Sequence, residues 1–119
     1  MAKIDVLGTK YQITKVKMCQ DEYMDKMQFG GYCDCGAKRI VILDLRTVPD
    51  WANEPEHIII DMEKCTIRHE LIHAFLNESG LQHNSLVTDK AWAKNEEMVD
   101  WLAIQMPKLI KAFNDADCL

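Results

Sequence analysis

The sequence lacks a long apolar run. Although 48% of its residues are hydrophobic, no stretch approaches the roughly 20 residues that cross a bilayer. The opening Met1-Ala2-Lys3-Ile4-Asp5-Val6 has no uninterrupted apolar segment, so a secretory signal is not expected. A basic excess is missing too: 14 Lys and Arg stand against 19 Asp and Glu, a net charge of −5, which argues against phosphate-backbone binding. The five cysteines are odd in number, and without an export signal this disfavours a disulfide framework. No internal repeat or low-complexity tract marks a linker. These absences lead to the expectation of a soluble, cytoplasmic protein with reduced thiols and with neither a membrane nor a nucleic acid as partner. At 119 residues, the chain has room for one core, so residues 1–119 are read as a single domain.

Apolar residues two apart in Ile4-Asp5-Val6-Leu7 and in Tyr11-Gln12-Ile13-Thr14, joined through Gly8-Thr9, predict an opening β-hairpin. Asp21 to Gln28 is polar apart from Tyr23, Met24 and Met27 and is followed by Gly30-Gly31, which reads as a loop. Lys38 to Leu45 is rich in β-branched residues and lies between Gly36 and Pro49, as a third strand would. Pro55 to Ser79 contains neither glycine nor an internal proline, and Ile58, Met62, Cys65, His69, Ile72, His73 and Leu76 recur at three- and four-residue spacing. This predicts a long helix closed by Gly80 in the C′ role. A second helix is expected from Asp89 or Lys94 to Phe113, with Trp92, Val99, Leu102, Ala103, Met106 and Ile110 on its apolar stripe and Pro107 as a point of bending. Strands followed by helices argue for an α+β fold, with a small antiparallel sheet of about three strands packed on two long helices.

The chemistry of the chain is concentrated in His69-Glu70-Leu71-Ile72-His73. Residues four apart on a helix lie one above the other, so His69 and His73 can offer imidazole nitrogens to one tetrahedral cation. Glu70 sits one step round, within reach of a water that zinc would acidify toward a pKa of about 7. The bland alternative, three solvated side chains on a surface helix, fits poorly beside Leu71, Ile72, Phe75 and Leu76.

A catalytic zinc needs a third protein ligand and an open position. Glu96 is the first candidate, because Asp100 follows on the same face and can hydrogen-bond the distal nitrogen of a ligand histidine. Glu97 takes the role if the helix is turned by one residue, since Trp101 and Ile104 share its face. His83, just beyond Gly80, is a third candidate. Acids in a first helical turn also have a structural explanation, because they complement the helix dipole. Cys33-Asp34-Cys35 resembles half of a metal site but has no second half, so its thiols read as incidental. Tyr32, Arg68 and His83 are candidates for stabilising an oxyanion.

His69-Glu70-x-x-His73 followed by a glutamate on the next helix resembles the gluzincin metallopeptidases, over about Glu56 to Lys111. Asn95-Glu96-x-x-x-Asp100 looks like their thermolysin-type Asn-Glu-x-x-x-Asp segment, a likeness that implies Glu96 as zinc ligand and Asp100 as support for a ligand histidine. Glu96-x-x-Val99-Asp100-x-Leu102-Ala103 is similar to the Glu-x-x-Ala-x-x-Phe-Ala stretch of ImmA/IrrE-type endopeptidases, with Val99 and Leu102 at the Ala and Phe positions. As a whole, the chain looks most like small metallopeptidase-like proteins of phages and prophages. A metzincin pattern is disfavoured, because Leu76 and Ser79 stand where its glycine and third histidine would fall.

The resemblance implies a minimal zincin-like domain and a hydrolase that cleaves protein or peptide substrates in a bacterial host cell. One Zn2+ would be held by His69, His73 and Glu96, with Glu70 as general base and Ile40 to Leu43 as an edge strand for an extended peptide. The alternative is a non-catalytic zincin-fold binding or regulatory module with a structural metal site.

Overall fold

A computed structural model describes residues 2–82 and 91–119. Strands β1 (Ala2–Val6), β2 (Thr9–Val16), β3 (Gly31–Asp34) and β4 (Arg39–Leu43) alternate with helices α1 (Glu22–Met27), α2 (Glu56–Glu78) and α3 (Glu96–Asp115). The class is α+β, as expected. The sheet, however, has four strands and is mixed, in the order β1-β2-β4-β3. β1 and β2 form the predicted hairpin, with Ile4 opposite Tyr11. Its turn is Leu7-Gly8 rather than Gly8-Thr9: both residues have positive φ, at 50° and 89°, and Asp5 Oδ1 accepts the Gly8 N–H at 3.0 Å. This is the backbone that a tight hairpin turn demands.

β4 corrects the expected edge strand. It pairs in parallel with β2, Ile13 opposite Ile40, and antiparallel with β3, Cys33 opposite Ile40. Ile40, Val41 and Ile42 are all buried, and a continuous apolar run, rather than an alternating one, is what a strand covered on both faces requires. The strand stops at Leu43, since Asp44 caps a 3₁₀ turn over Leu45–Thr47 by accepting the Arg46 N–H. The edge is β3.

The expected loop at residues 21–28 contains α1. Asp21 Oδ1 accepts the Met24 N–H at 2.9 Å, Gln28 ends the helix in the left-handed region, and Met24 is the buried anchor. One N-cap and one apolar side chain suffice for so short a helix when the rest of the protein holds it.

α2 matches its predicted limits closely. Gly80, with φ +80°, sends its N–H to the Asn77 carbonyl, and the Leu81 N–H bonds to the Leu76 carbonyl. This is the Schellman pairing that closes a helix. Its buried face is not the predicted stripe: Ile59, Glu63, Glu70 and Ala74 are buried, whereas Ile58 and Met62 are exposed. Two carboxylates on the inward face disguise the apolar period. Glu63 is held there by Lys15 Nζ at 2.6 Å and Arg46 Nη1 at 2.9 Å. The core between α2 and the sheet gathers Val6, Tyr11, Ile40, Ile42 and Ala74, with Ile67 and Leu71 packed against it.

α3 starts later than expected. A 3₁₀ turn over Trp92–Lys94 precedes it, and the Asn95 side chain caps the helix by accepting the Met98 N–H. Position 89, the earlier predicted start, lies outside the described residues. Val99 and Ala103 face inward as predicted, while Trp92 and Ile110 are exposed. Pro107 lies within the helix, where its missing N–H frees the Ala103 carbonyl. Arg68 Nε on α2 donates to that carbonyl at 2.6 Å, so Arg68 locks the two helices together. Among the described residues, no helix is long and apolar enough to cross a membrane.

Candidate metal centre

α2 and α3 meet so that three side chains converge on one point. His69 Nε2 lies 3.2 Å from His73 Nε2 and 3.1 Å from Glu96 Oε2. His73 Nε2 lies 3.1 Å from Glu96 Oε1. The helical repeat sets the first spacing; the Asn95 cap, which begins α3 one residue before Glu96, sets the others.

The outer nitrogens fix the tautomers. His69 Nδ1 lies 2.8 Å from Asp100 Oδ1, and His73 Nδ1 lies 3.2 Å from the Ala93 carbonyl. Both partners accept only, so each Nδ1 carries the proton and each Nε2 of a neutral imidazole presents a lone pair. The two inner imidazole nitrogens and the Glu96 carboxylate thus form a donor set that a cation can share. Ligand atoms 2.0–2.1 Å from a tetrahedral zinc lie about 3.3 Å apart, so the observed triangle fits such an ion. Both histidines also have the outward partner that ligand imidazoles ordinarily need.

Glu70 stands beside this triangle, with Oε1 3.9 Å from His69 Nε2. Its side chain is buried. Burial raises its pKa to about 7, helped by the negative charges of Glu96, Cys35 and Asp100. A cation at the centre would oppose that shift. The triangle opens on a cavity of about 550 Å³ that reaches Tyr23, Gly31, Tyr32, Cys33, Cys35, Gln82 and Lys94. A cation held by the triangle would have its open position on the side facing this cavity.

The structure brings together His69, Glu70, His73, Glu96 and Asp100. It separates Glu97, which instead faces a shallow depression with Trp92, Met98 and Trp101. His83 lies outside the described residues. Of the oxyanion candidates, Arg68 is committed to the Ala103 carbonyl, and Tyr32 lines the cavity while its hydroxyl donates to Asp21 Oδ2 at 2.7 Å. Sequence reasoning missed the Ala93 carbonyl, Lys94 and the position of the two β3-end thiols on the cavity wall. Lys94 had a signal, since it directly precedes the Asn95 cap; the Ala93 carbonyl had none, because a backbone acceptor leaves no trace in residue type. Comparison with known proteins finds no matching family model, no matching curated protein and no matching solved structure.

Proposed function

We propose that this chain is a zinc-dependent metallopeptidase of zincin-like fold, holding one Zn2+ through His69, His73 and Glu96 and using Glu70 as general base. The observation that carries the reading is the convergence of His69 Nε2, His73 Nε2 and Glu96 Oε2 within 3.1–3.2 Å of one another, next to the buried Glu70 carboxylate. A bound zinc ion would polarise a scissile carbonyl and acidify a water. Glu70 would then accept the proton of the attacking water and return it to the leaving amine. Asp100 and the Ala93 carbonyl keep both imidazoles in the ligating tautomer.

The substrate side of this reading rests on β3. It is one of the two outer strands of the sheet, and its Gly31, Tyr32 and Cys33 line the cavity. An extended protein or peptide substrate that adds to this edge would carry its backbone across the cavity mouth. The resemblance to phage and prophage metallopeptidase-like proteins supports a bacterial cytoplasm as the setting.

Metal content of the purified chain tests the proposal. Stoichiometric zinc is expected in the native chain, in Glu97→Ala and in His83→Ala, and is expected to be lost in Glu96→Ala. A peptide-library digest, with Glu70→Gln as control, then tests cleavage. Zinc binding without any cleavage points instead to a binding module, and a native chain that takes up no zinc overturns the proposal.

A further inference from the structure

Cys33 and Cys35 bring their sulfurs to within 3.6 Å of each other. Cys33 is the third residue of β3 and Cys35 begins the turn into β4, so side chains two apart point to one side of the strand and the turn draws the second thiol toward the first. Both line the cavity beside Glu70, and both are partly accessible. The Cys35 sulfur also donates to Gln82 Oε1 at 3.5 Å. The remaining cysteines, Cys19, Cys65 and Cys118, have no thiol neighbour among the described contacts.

We propose that Cys33 and Cys35 form a second reactive site on this wall, a vicinal dithiol that a low-molecular-weight disulfide oxidises to an intrachain Cys33–Cys35 disulfide. The sulfurs must close from 3.6 Å to about 2.05 Å, a movement that the turn can take up. The two thiols have different roles. The hydrogen bond from Cys33 lowers Cys35 to about 7, assisted by the Lys38 ammonium, whereas the same hydrogen bond and burial raise Cys33. Cys35, at the start of the turn beside the Lys38 ammonium, is the attacking thiolate, and Cys33, within β3, is the resolving thiol.

In the first step, the Cys35 sulfur bonds to one sulfur of the small disulfide, whose S–S bond breaks and releases one thiolate. In the second, Cys33 loses its proton to that thiolate or to solvent and attacks the Cys35 sulfur, expelling the second small thiol. Two electrons pass from the protein dithiol to the small disulfide, and two small thiols are the products. A ring closed over so few residues is strained, which places it among readily reduced disulfides rather than structural ones. Because the site lies on the cavity wall, its oxidation alters the face that Glu70 looks onto.

The test uses the full chain with oxidised glutathione, followed by blocking of free thiols, reduction and a second label. The native chain is expected to lose two hydrogens in intact mass, with the second label on Cys33 and Cys35 only. Cys33→Ser is expected to stop at a stable glutathione adduct on Cys35, and Cys35→Ser to react at least tenfold more slowly. A native chain that keeps both thiols free, holds only a glutathione adduct, or pairs either cysteine with Cys19, Cys65 or Cys118 overturns the proposal. Because the readout is mass, labelling and rate, these outcomes do not depend on metal or peptidase activity.

Discussion

Asp100 acts on the candidate centre through His69 rather than by touching the metal position. Its carboxylate, 2.8 Å from His69 Nδ1, keeps the proton on the outer nitrogen and raises the basicity of the inner one. Asp100→Asn is expected to weaken zinc binding about 10- to 100-fold, and competition with a chromogenic chelator measures this directly. Unchanged affinity would show that the Ala93 carbonyl on the other histidine is enough. This part of the site was legible in the sequence, because an i, i+4 pair of histidines and an i, i+4 pair of acids fix their faces through helix geometry alone. Choosing Glu96 over Glu97 needed the phase of α3, which the Asn95 cap sets. The Ala93 carbonyl and the meeting of the Cys33 and Cys35 sulfurs depended on the path of the chain around the helices, which no spacing rule encodes.

At the scale of elements, the approach of β3 to α2 sets the depth of the cavity, and Gly31 sets that approach. A Cβ built on Gly31 falls 2.7 Å from Thr66 Cγ2 on α2 and 3.2 Å from the Val41 carbonyl. Both contacts are too close to keep, and the second is with backbone, which cannot rotate away. Gly31→Ala is expected to cost about 1–3 kcal/mol, seen as a lower urea midpoint at an unchanged slope, and to push the edge strand away from His69 and Glu70. Equal stability would mean that β3 shifts without cost. The sequence showed Gly30-Gly31 only as punctuation, since a glycine that permits close packing looks the same as one that permits a turn. The buried face of α2 was hidden for a related reason: Glu63 is inward because Lys15 and Arg46 reach it from β2 and the 3₁₀ turn, and partners so distant in sequence give no local sign. The limits of α2, by contrast, were readable from Gly80 and from the proline before Glu56.

For the molecule as a whole, two carboxylate clusters respond to solution conditions in different ways. Glu78, at the end of α2, ties the helix to the sheet. It accepts from Lys38 Nζ at 2.7 Å, the Tyr11 hydroxyl at 2.7 Å and Thr9 Oγ1 at 3.1 Å. Led by the Lys38 contact, these bonds hold its pKa down at about 2. A depressed folded pKa stabilises the protein fully above the ordinary glutamate value of about 4.3, and that contribution is lost as pH falls from there toward 2. Glu78→Gln is therefore expected to be less stable than the parent at pH 6, and the gap between them should narrow steadily from pH 5 to pH 2.5 in urea titrations. A gap that stays constant would mean that the cluster acts through shape rather than charge.

The candidate metal centre is expected to shift stability in the opposite circumstance, when a ligand is added rather than a charge removed. His69 Nε2 and His73 Nε2 on α2 and the Glu96 carboxylate on α3 lie within 3.1–3.2 Å of one another. An ion that binds only the folded chain must therefore stabilise the whole domain by mass action. At free zinc one hundred times its dissociation constant the gain is about 2.7 kcal/mol, which for a chain of 119 residues corresponds to a rise in Tm of roughly 10 °C. It should be absent with magnesium, which seeks oxygen ligands in an octahedral shell, and absent in His69→Ala and His73→Ala. A zinc-induced rise that survives loss of either histidine would place the ion elsewhere on the chain, and the triangle between α2 and α3 would then need another explanation for three acceptors that face one another.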